Sequence, residues 1–295
     1  MSSTYTFKRE TTVVIEYCGT LYYLDALGDY TYSQTFNKRR ITRKTLHSKT
    51  PKPMSVITGK NPGSCTLQVY GADTFSEAVL FDLTGLEDEA DMFILPYTMQ
   101  VQPEFFNIYI ISNSSVTRLN RCALTSLDTS FSKRGNITFD TSITFSDIQN
   151  DVSLPAGTQV LQGNVPNTTN ELVILSEYGG PTFDSVKSTS FSIQQQYDWR
   201  QDNNLQTIGT TYVPTVAILT DMPINAVISA YYNSTSILPD IMEHIELSIS
   251  FGIIRITLTD IQLTKRVGTE DVLEVQYDLS LQETSSVTVE YGAIT

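Results

Sequence analysis

The chain has 295 residues, of which 40% are apolar and 17% charged, and its net charge is −13. The charged fraction lies below the ~25% of ordinary soluble domains, and the Ser, Thr, Asn and Gln that replace it, with 16 Tyr and 13 Phe, favour strands over helices. No apolar run approaches the ~20 residues of a membrane-spanning helix, and the N-terminal "MSSTYTFKRETT" has no apolar signal core; a membrane or secreted protein is not expected.

In chain order, "TVVIEY" (12–17), "TLYYLD" (20–25), "YTYSQTF" (30–36), "CTLQVYG" (65–71) and "FNIYIIS" (106–112) read as short strands, being β-branched or aromatic. "DTFSEAVLFDLTG" (73–85) reads as a short helix, with Thr74 and Glu77 spaced as a capping box and Gly85 as the stop. "NITFDTSITFS" (136–146) alternates: Ile137, Phe139, Ile143 and Phe145 fall on one face, Thr138, Asp140, Ser142 and Thr144 on the other. "DMPINAVISAYYNST" (221–235) reads as a second helix, with Asp221 as cap and Pro223 in the first turn. "DVLEVQYDLSL" (271–281) alternates like 136–146, which predicts a sheet with one buried and one wet face.

Two stretches repeat. "LDTSFSKRGN" (127–136) and "TDIQLTKRVG" (259–268) match at Asp128/Asp260, Phe131/Leu263 and the Lys-Arg pairs, all 132 positions apart. The two helix segments match at Asp73/Asp221 and Ala78/Ala226, 148 apart. These anchors predict an internal duplication, with a first domain at 1–150, a second at 151–295, and a polar boundary near 146–171.

Charge is unevenly spread. Residues 1–150 carry 14 Lys/Arg against 15 Asp/Glu, and residues 151–295 carry 5 against 17. No acid lies between Asp29 and Asp73, yet Lys38, Arg39, Arg40, Arg43, Lys44, Lys49, Lys52 and Lys60 do. This basic arm (36–60) has three readings: self-association with an acidic surface of another copy, nucleic-acid binding, or a solvated hairpin. The net negative body and the lack of interleaved aromatics weigh against nucleic acid. The acidic loop 86–91, with Glu87, Asp88, Glu89 and Asp91, lacks the alternating spacing of a calcium loop and reads as a solvated loop or as a partner for the basic arm.

No chemistry-bearing motif is found. His47 and His244 sit in unrelated contexts, Cys18, Cys65 and Cys122 have no CxxC spacing and read as small buried residues, and no nucleophile elbow, P-loop or dinucleotide fingerprint occurs. No catalytic, cofactor-binding or metal-binding residue is assigned, and an enzyme is not expected. Trp199 in "QYDWRQD" serves either the core or a subunit contact.

Long alternating hairpins, a capped helix in each half, an early arm and an acidic balance together resemble the tail tube proteins of long-tailed bacteriophages. In particular they resemble the duplicated kind, in which three chains form a pseudo-hexameric ring. The resemblance implies a mostly β fold: two tandem tail-tube-type β-sandwich or barrel domains, each with one short flanking α-helix. Their inner strands would complete an intersubunit β-barrel. It further implies that strands within 106–145 and 245–282 line the tube, that helices 74–84 and 223–232 pack outside, and that arm 36–60 reaches the next ring. Asp140, Glu274 and Asp278 would then face the DNA channel. Lys38, Arg39, Arg40, Arg43 and Lys44 would make the inter-ring contact, with Glu87, Asp88, Glu89 and Asp91 as acidic counter-surface. The implied partners are further copies, the tail terminator, baseplate and tape measure, and double-stranded DNA that passes without specific binding; no membrane is involved. The implied location is the virion tail, assembled in the host cytoplasm. Alternatives are a tail terminator, tube initiator or baseplate hub of the same lineage, or a receptor-binding or decoration β-sandwich.

Overall fold

The computed structural model describes residues 10–25, 27–43, 52–72, 74, 76–89, 92–94, 103–112, 115–132, 136–165, 172–177, 183, 186–200, 213–231, 241–252, 254–268 and 274–291. The first half holds β1 (Thr12–Tyr17), β2 (Thr20–Leu24), β3 (Leu27–Ser33), β4 (Phe36–Arg43), β5 (Lys52–Lys60) and β6 (Gly63–Tyr70). A 3-10 turn (Ser76–Ala78) and the one-turn α1 (Val79–Asp82) follow, then β7 (Glu87–Glu89), β8 (Met92–Ile94), β9 (Phe106–Ile111), β10 (Val116–Ser132) and β11 (Thr138–Gln149). The second half holds β12 (Thr158–Leu161), β13 (Leu172–Glu177), β14 (Val186–Gln194), β15 (Gln196–Arg200), β16 (Val216–Asp221), β17 (Ile224–Tyr231), β18 (Ile241–Phe251), β19 (Ile254–Val267) and β20 (Glu274–Tyr291).

The long strands change partners part-way along, and this organises the molecule. On one side β10 pairs with β11; on the other it pairs with β9 through Val116–Cys122 and then with β14 through Ser126–Ser132. The handover follows a register shift between Leu124 and Ser126, where a bulge re-aims the strand. β20 behaves alike, pairing with β19 on one side, and on the other with β17 near its start and β8 near its end.

Ladder by ladder, eight strands run in the order β3-β6-β11-β10-β14-β17-β20-β19, all neighbours antiparallel. The first four belong to the first half and the last four to the second, and the two sets occur in the same order. β3 corresponds to β14, β6 to β17, β11 to β20 and β10 to β19. The matched stretches 127–136 and 259–268 thus occupy the same place, the strand end that enters the long hairpin.

The helix expected at 221–235 is not formed: Ile224–Tyr231 is β17, laddered to β14 and β20. Its residues alternate, with Ile224, Ala226, Ile228 and Ala230 buried, and Asn225, Val227, Ser229 and Tyr231 on the open face. Asp221 and Pro223 read as helix-start residues, but Pro223 directly precedes the strand, where a missing N–H breaks no ladder bond. The 148-residue offset built on this helix falls with it, because β17 stands where β6 stands in the first half. The expected first helix shrinks to residues 76–82. Its capping box does not close: Glu77 accepts from the Ala72 N–H at 2.5 Å, and the Thr74 hydroxyl accepts instead from the Gly163 N–H at 2.6 Å.

The inward residues read from alternation are buried as expected, including Ile137, Phe139, Ile143, Phe145, Val275, Tyr277 and Leu279. Most of the core is one continuous cluster drawn from both halves. Phe131 of β10 packs on Phe251 of β18 at 5.3 Å between ring centres, Phe81 of α1 meets Phe139 edge-on at 5.8 Å, and Phe191 of β14 is 1% exposed.

The cysteines divide. Cys65 and Cys122 are buried, and burial pushes the Cys65 thiol up to about 12 and raises Cys122 as well. Cys18 is exposed, against the expectation of three buried thiols, because it forms the β1–β2 turn with Gly19, both at positive φ (47° and 79°). A thiol-specific reagent at pH 8 is expected to titrate one fast thiol in the native chain and three after denaturation. Two fast native thiols would contradict this packing.

Candidate functional site: a polar sheet face and its hairpin arms

The eight-strand arc buries one face in the core and presents the other as a polar surface. Following the ladders across it, one row reads Asp29, Gln68, Asp140, Asp128, Ser192, Asn225, Ser280 and Gln262. Three of its first four residues are aspartates, and they border a depression of about 330 Å³ with Thr66, Gln68 and Ser142. Asp128 faces Asp140 directly across the β10–β11 ladder, a like-charge opposition that costs stability. Gln68 Nε2 donates to Asp140 Oδ1 at 2.9 Å and orients it.

Asp140, Glu274 and Asp278, singled out from alternation, all lie on this face, but in different settings. Lys187 of β14 reaches Glu274 at 2.6 Å, and Arg266 of β19 reaches Asp278 at 2.6 Å. The acids at the β19–β20 tip are therefore paired with cations from other strands, which alternation along a single strand does not reveal. Asp29 and Asp128 escaped the sequence reading for the same reason: they join Asp140 only through cross-strand register.

The basic arm is the β4–β5 hairpin, a two-stranded sheet of its own between β3 and β6. Lys38 and Arg40 are exposed on it; Arg39 and Arg43 lie in β4, while Lys44 lies outside the described residues. At its base Lys60 pairs with Asp147, and Gln34 donates to the Ser146 carbonyl at 2.8 Å. The second half has a hairpin in the matching place: β15–β16, between β14 and β17. Residues 34–62 and 195–223 are 29 residues each, although their charges differ. The first insert holds eight cations and no acid; the second holds Asp198, Asp202 and Asp221 against Arg200. Trp199 belongs to this second hairpin, where its indole N–H donates to Thr144 Oγ1 at 3.1 Å and its ring lies 6.1 Å from that of Phe105.

Within the acidic stretch, Glu87–Glu89 is a strand rather than a loop: it forms β7, paired to β8, which adds to the end of β20. Asp88 lies within it, and Asp91 is outside the described residues. No cluster of His, Cys, Asp and Glu suited to a metal occurs among the described residues.

A model of the bacteriophage baseplate tube protein family matches residues 3–295. The chain belongs to that family. It is also 29% identical over 289 residues to the baseplate tube protein p140 of Escherichia phage T5, a match that covers 93% of each chain. Membership makes this baseplate tube family chain a structural component of a phage tail and not an enzyme. The expected tail-tube resemblance is thereby narrowed to the baseplate part of the tube.

Proposed function

We propose that three copies of the chain close into a ring of the baseplate tube, with the polar face of the eight-strand arc lining a channel for DNA. The observation that carries this reading is the repeated strand order, four strands from each half joined by the β10–β14 ladder. One chain supplies an eight-strand arc from β3 to β19; β18 covers the outer side of β19 as far as Thr264, and 265–267 extend beyond it. A closed barrel removes such ends, which are otherwise prone to uncontrolled pairing. Three arcs make twenty-four strands, and at ~4.8 Å spacing and ~45° tilt these enclose a barrel of about 50 Å, or about 40 Å inside its side chains. The two halves, 1–150 and 151–295, are in this reading diverged copies of one tube domain, and the ring is pseudo-hexameric.

The wet face suits passage. Ser, Thr, Asn and Gln dominate it, carboxylates stand in the Asp29–Asp140–Asp128 row, and Lys187 and Arg266 are paired with Glu274 and Asp278. A lining of free cations would retain phosphates. The basic arm then contacts an acidic surface of the neighbouring layer, which the Glu87–Glu89 hairpin of another copy supplies in a homotypic stack. The terminator, baseplate and tape-measure proteins are the other partners in this reading, and assembly takes place in the host cytoplasm.

Mass photometry tests both parts. The wild-type chain of 33.0 kDa is expected at about 99 kDa as a trimer. Changing Lys38, Arg39, Arg40, Arg43 and Lys44 to Glu is expected to preserve the trimer and abolish larger stacks at low salt. Stacks that persist in this variant would refute the arm's role, and a wild type that stays at 33.0 kDa up to tens of micromolar would refute the ring.

A further inference from the structure

The two halves differ at one place that matters for closing the ring. In the first half, β9 leaves β10 at Cys122, and Ser126–Ser132 is then taken by β14. In the second half, β18 does not let go at the corresponding point. It crosses two register shifts, between Met242 and Ile245 and between Ile245 and Leu247, and goes on to pair Met242 with Leu263 and Ile241 with Thr264. The side of β19 that corresponds to the β14-binding side of β10 is therefore partly covered by the chain's own residues 241–244.

We propose that Ile241–His244 is a displaceable strap over the ring-closing edge of β19, and that the segment that displaces it is β3 of a second copy. This rests on the ring reading and says what regulates its closure. Strand correspondence identifies the occupant: β14 takes the outer side of β10, and β3 is the counterpart of β14. Lengths agree. The β10–β14 ladder has seven residue pairs, β3 has seven residues, and removing the strap uncovers Gln262–Val267, six residues of β19. With the strap in place only 265–267 extends beyond it, too short for a comparable ladder.

Met242 packs against the core and is the strap's main anchor; the strap's other contacts are weak. His244 adopts a left-handed backbone (φ 58°), costly for a residue with a Cβ, and it faces Asp260, which is also left-handed (φ 55°). His244 Nδ1 and Asp260 Oδ1 are 2.5 Å apart, and Gln262 Nε2 donates to Glu243 at 3.3 Å. Both contacts lie at the surface, where such pairs contribute little. Ile241, at the strap's end, is 58% exposed and gains little by staying. Incoming β3 exchanges two strap pairs for about six ladder pairs, so the exchange favours closure once copies meet. The strap meanwhile hides a pairing edge in the single chain, the protection that edge strands need.

Protonation of His244 tightens the strap. The groups facing the imidazole are Asp260 on β19 and Glu243 on its own strand; the Asp260 hydrogen bond, then its charge, raise the His244 pKa. The strapped form therefore binds the proton more firmly and loses that support as pH rises through the raised value, so closure is easier at alkaline pH.

The test is a reversible lock. In a Cys18→Asn background, which suits the positive φ of that turn, Ile241→Cys with Thr264→Cys places two thiols on directly opposed residues, within disulfide reach. The oxidised protein is expected to remain at 33.0 kDa by mass photometry, and reduction is expected to restore the trimer. Separately, His244→Asn, which tolerates the left-handed backbone about as well as His, removes the imidazole; it should shift trimer formation to roughly 2- to 5-fold lower concentration. An oxidised lock that trimerises as readily as its reduced form overturns the strap while leaving the ring intact. If the wild type and the reduced form also fail to trimerise, the ring reading falls and the strap with it.

Discussion

Replacing Phe131 with Ala is expected to lower unfolding stability by about 3–5 kcal/mol, the range for deleting a fully buried aromatic ring. Phe131 is 1% exposed, and its ring packs on Phe251, so it joins the end of β10 to β18 in the other half of the chain. It also stands opposite Thr189 in the β10–β14 ladder, the seam on which the eight-strand arc depends. The cavity would open between β10 and β18, strands from the two halves that pack face to face through these rings. Urea unfolding followed by circular dichroism measures the loss. A penalty below about 1 kcal/mol, the level of an ordinary surface change, would mean that the halves are not stitched here.

The second large effect concerns the proposed channel. Changing Asp29, Asp128 and Asp140 together to Lys is expected to leave ring assembly intact and to reduce DNA delivery by about tenfold or more. Each ring would exchange three rows of carboxylates for ammonium groups aimed at passing phosphates, and each phosphate contact adds salt-dependent retention. The same positions changed to Asn are expected to behave like wild type, because loss of charge alone creates no hold on DNA. Phage carrying either variant can be compared for adsorption and for ejection triggered in vitro, with raised salt partly rescuing the Lys form. Normal ejection by the Lys form at low salt would remove this face from the channel.

Much of the strand content was legible because period-2 alternation reports burial directly. The faces of 136–146 and 274–281 follow from it, as does the polar side on which Asp140, Glu274 and Asp278 lie. The helix at 221–235 failed because Asp221, Pro223 and the Ala-Val pair mimic a helix start, while the alternation of Ile224, Ala226, Ile228 and Ala230 was the stronger signal. What sequence could not supply was cross-strand register. The Asp29–Asp140–Asp128 row, the Lys187–Glu274 and Arg266–Asp278 pairs and the His244–Asp260 contact all join residues distant in the chain. The second arm was hidden for another reason: its equivalence to the basic arm lies in position and length, since its charges are unlike.

The matched stretches 127–136 and 259–268 also diverge in a way that sequence identity conceals. Asp128 sits in a regular ladder opposite Asp140, whereas Asp260 sits in a left-handed bulge against His244. The same residue type in the same place of the strand order therefore serves the wet face in one half and the strap in the other.

The most direct measurement is negative-stain electron microscopy of the purified chain at low salt, with averaging of end-on views. Rings with three-fold symmetry, six peripheral lobes and a central channel near ~40 Å are expected. Compact particles without a channel, or closed dimers, would contradict the proposed ring.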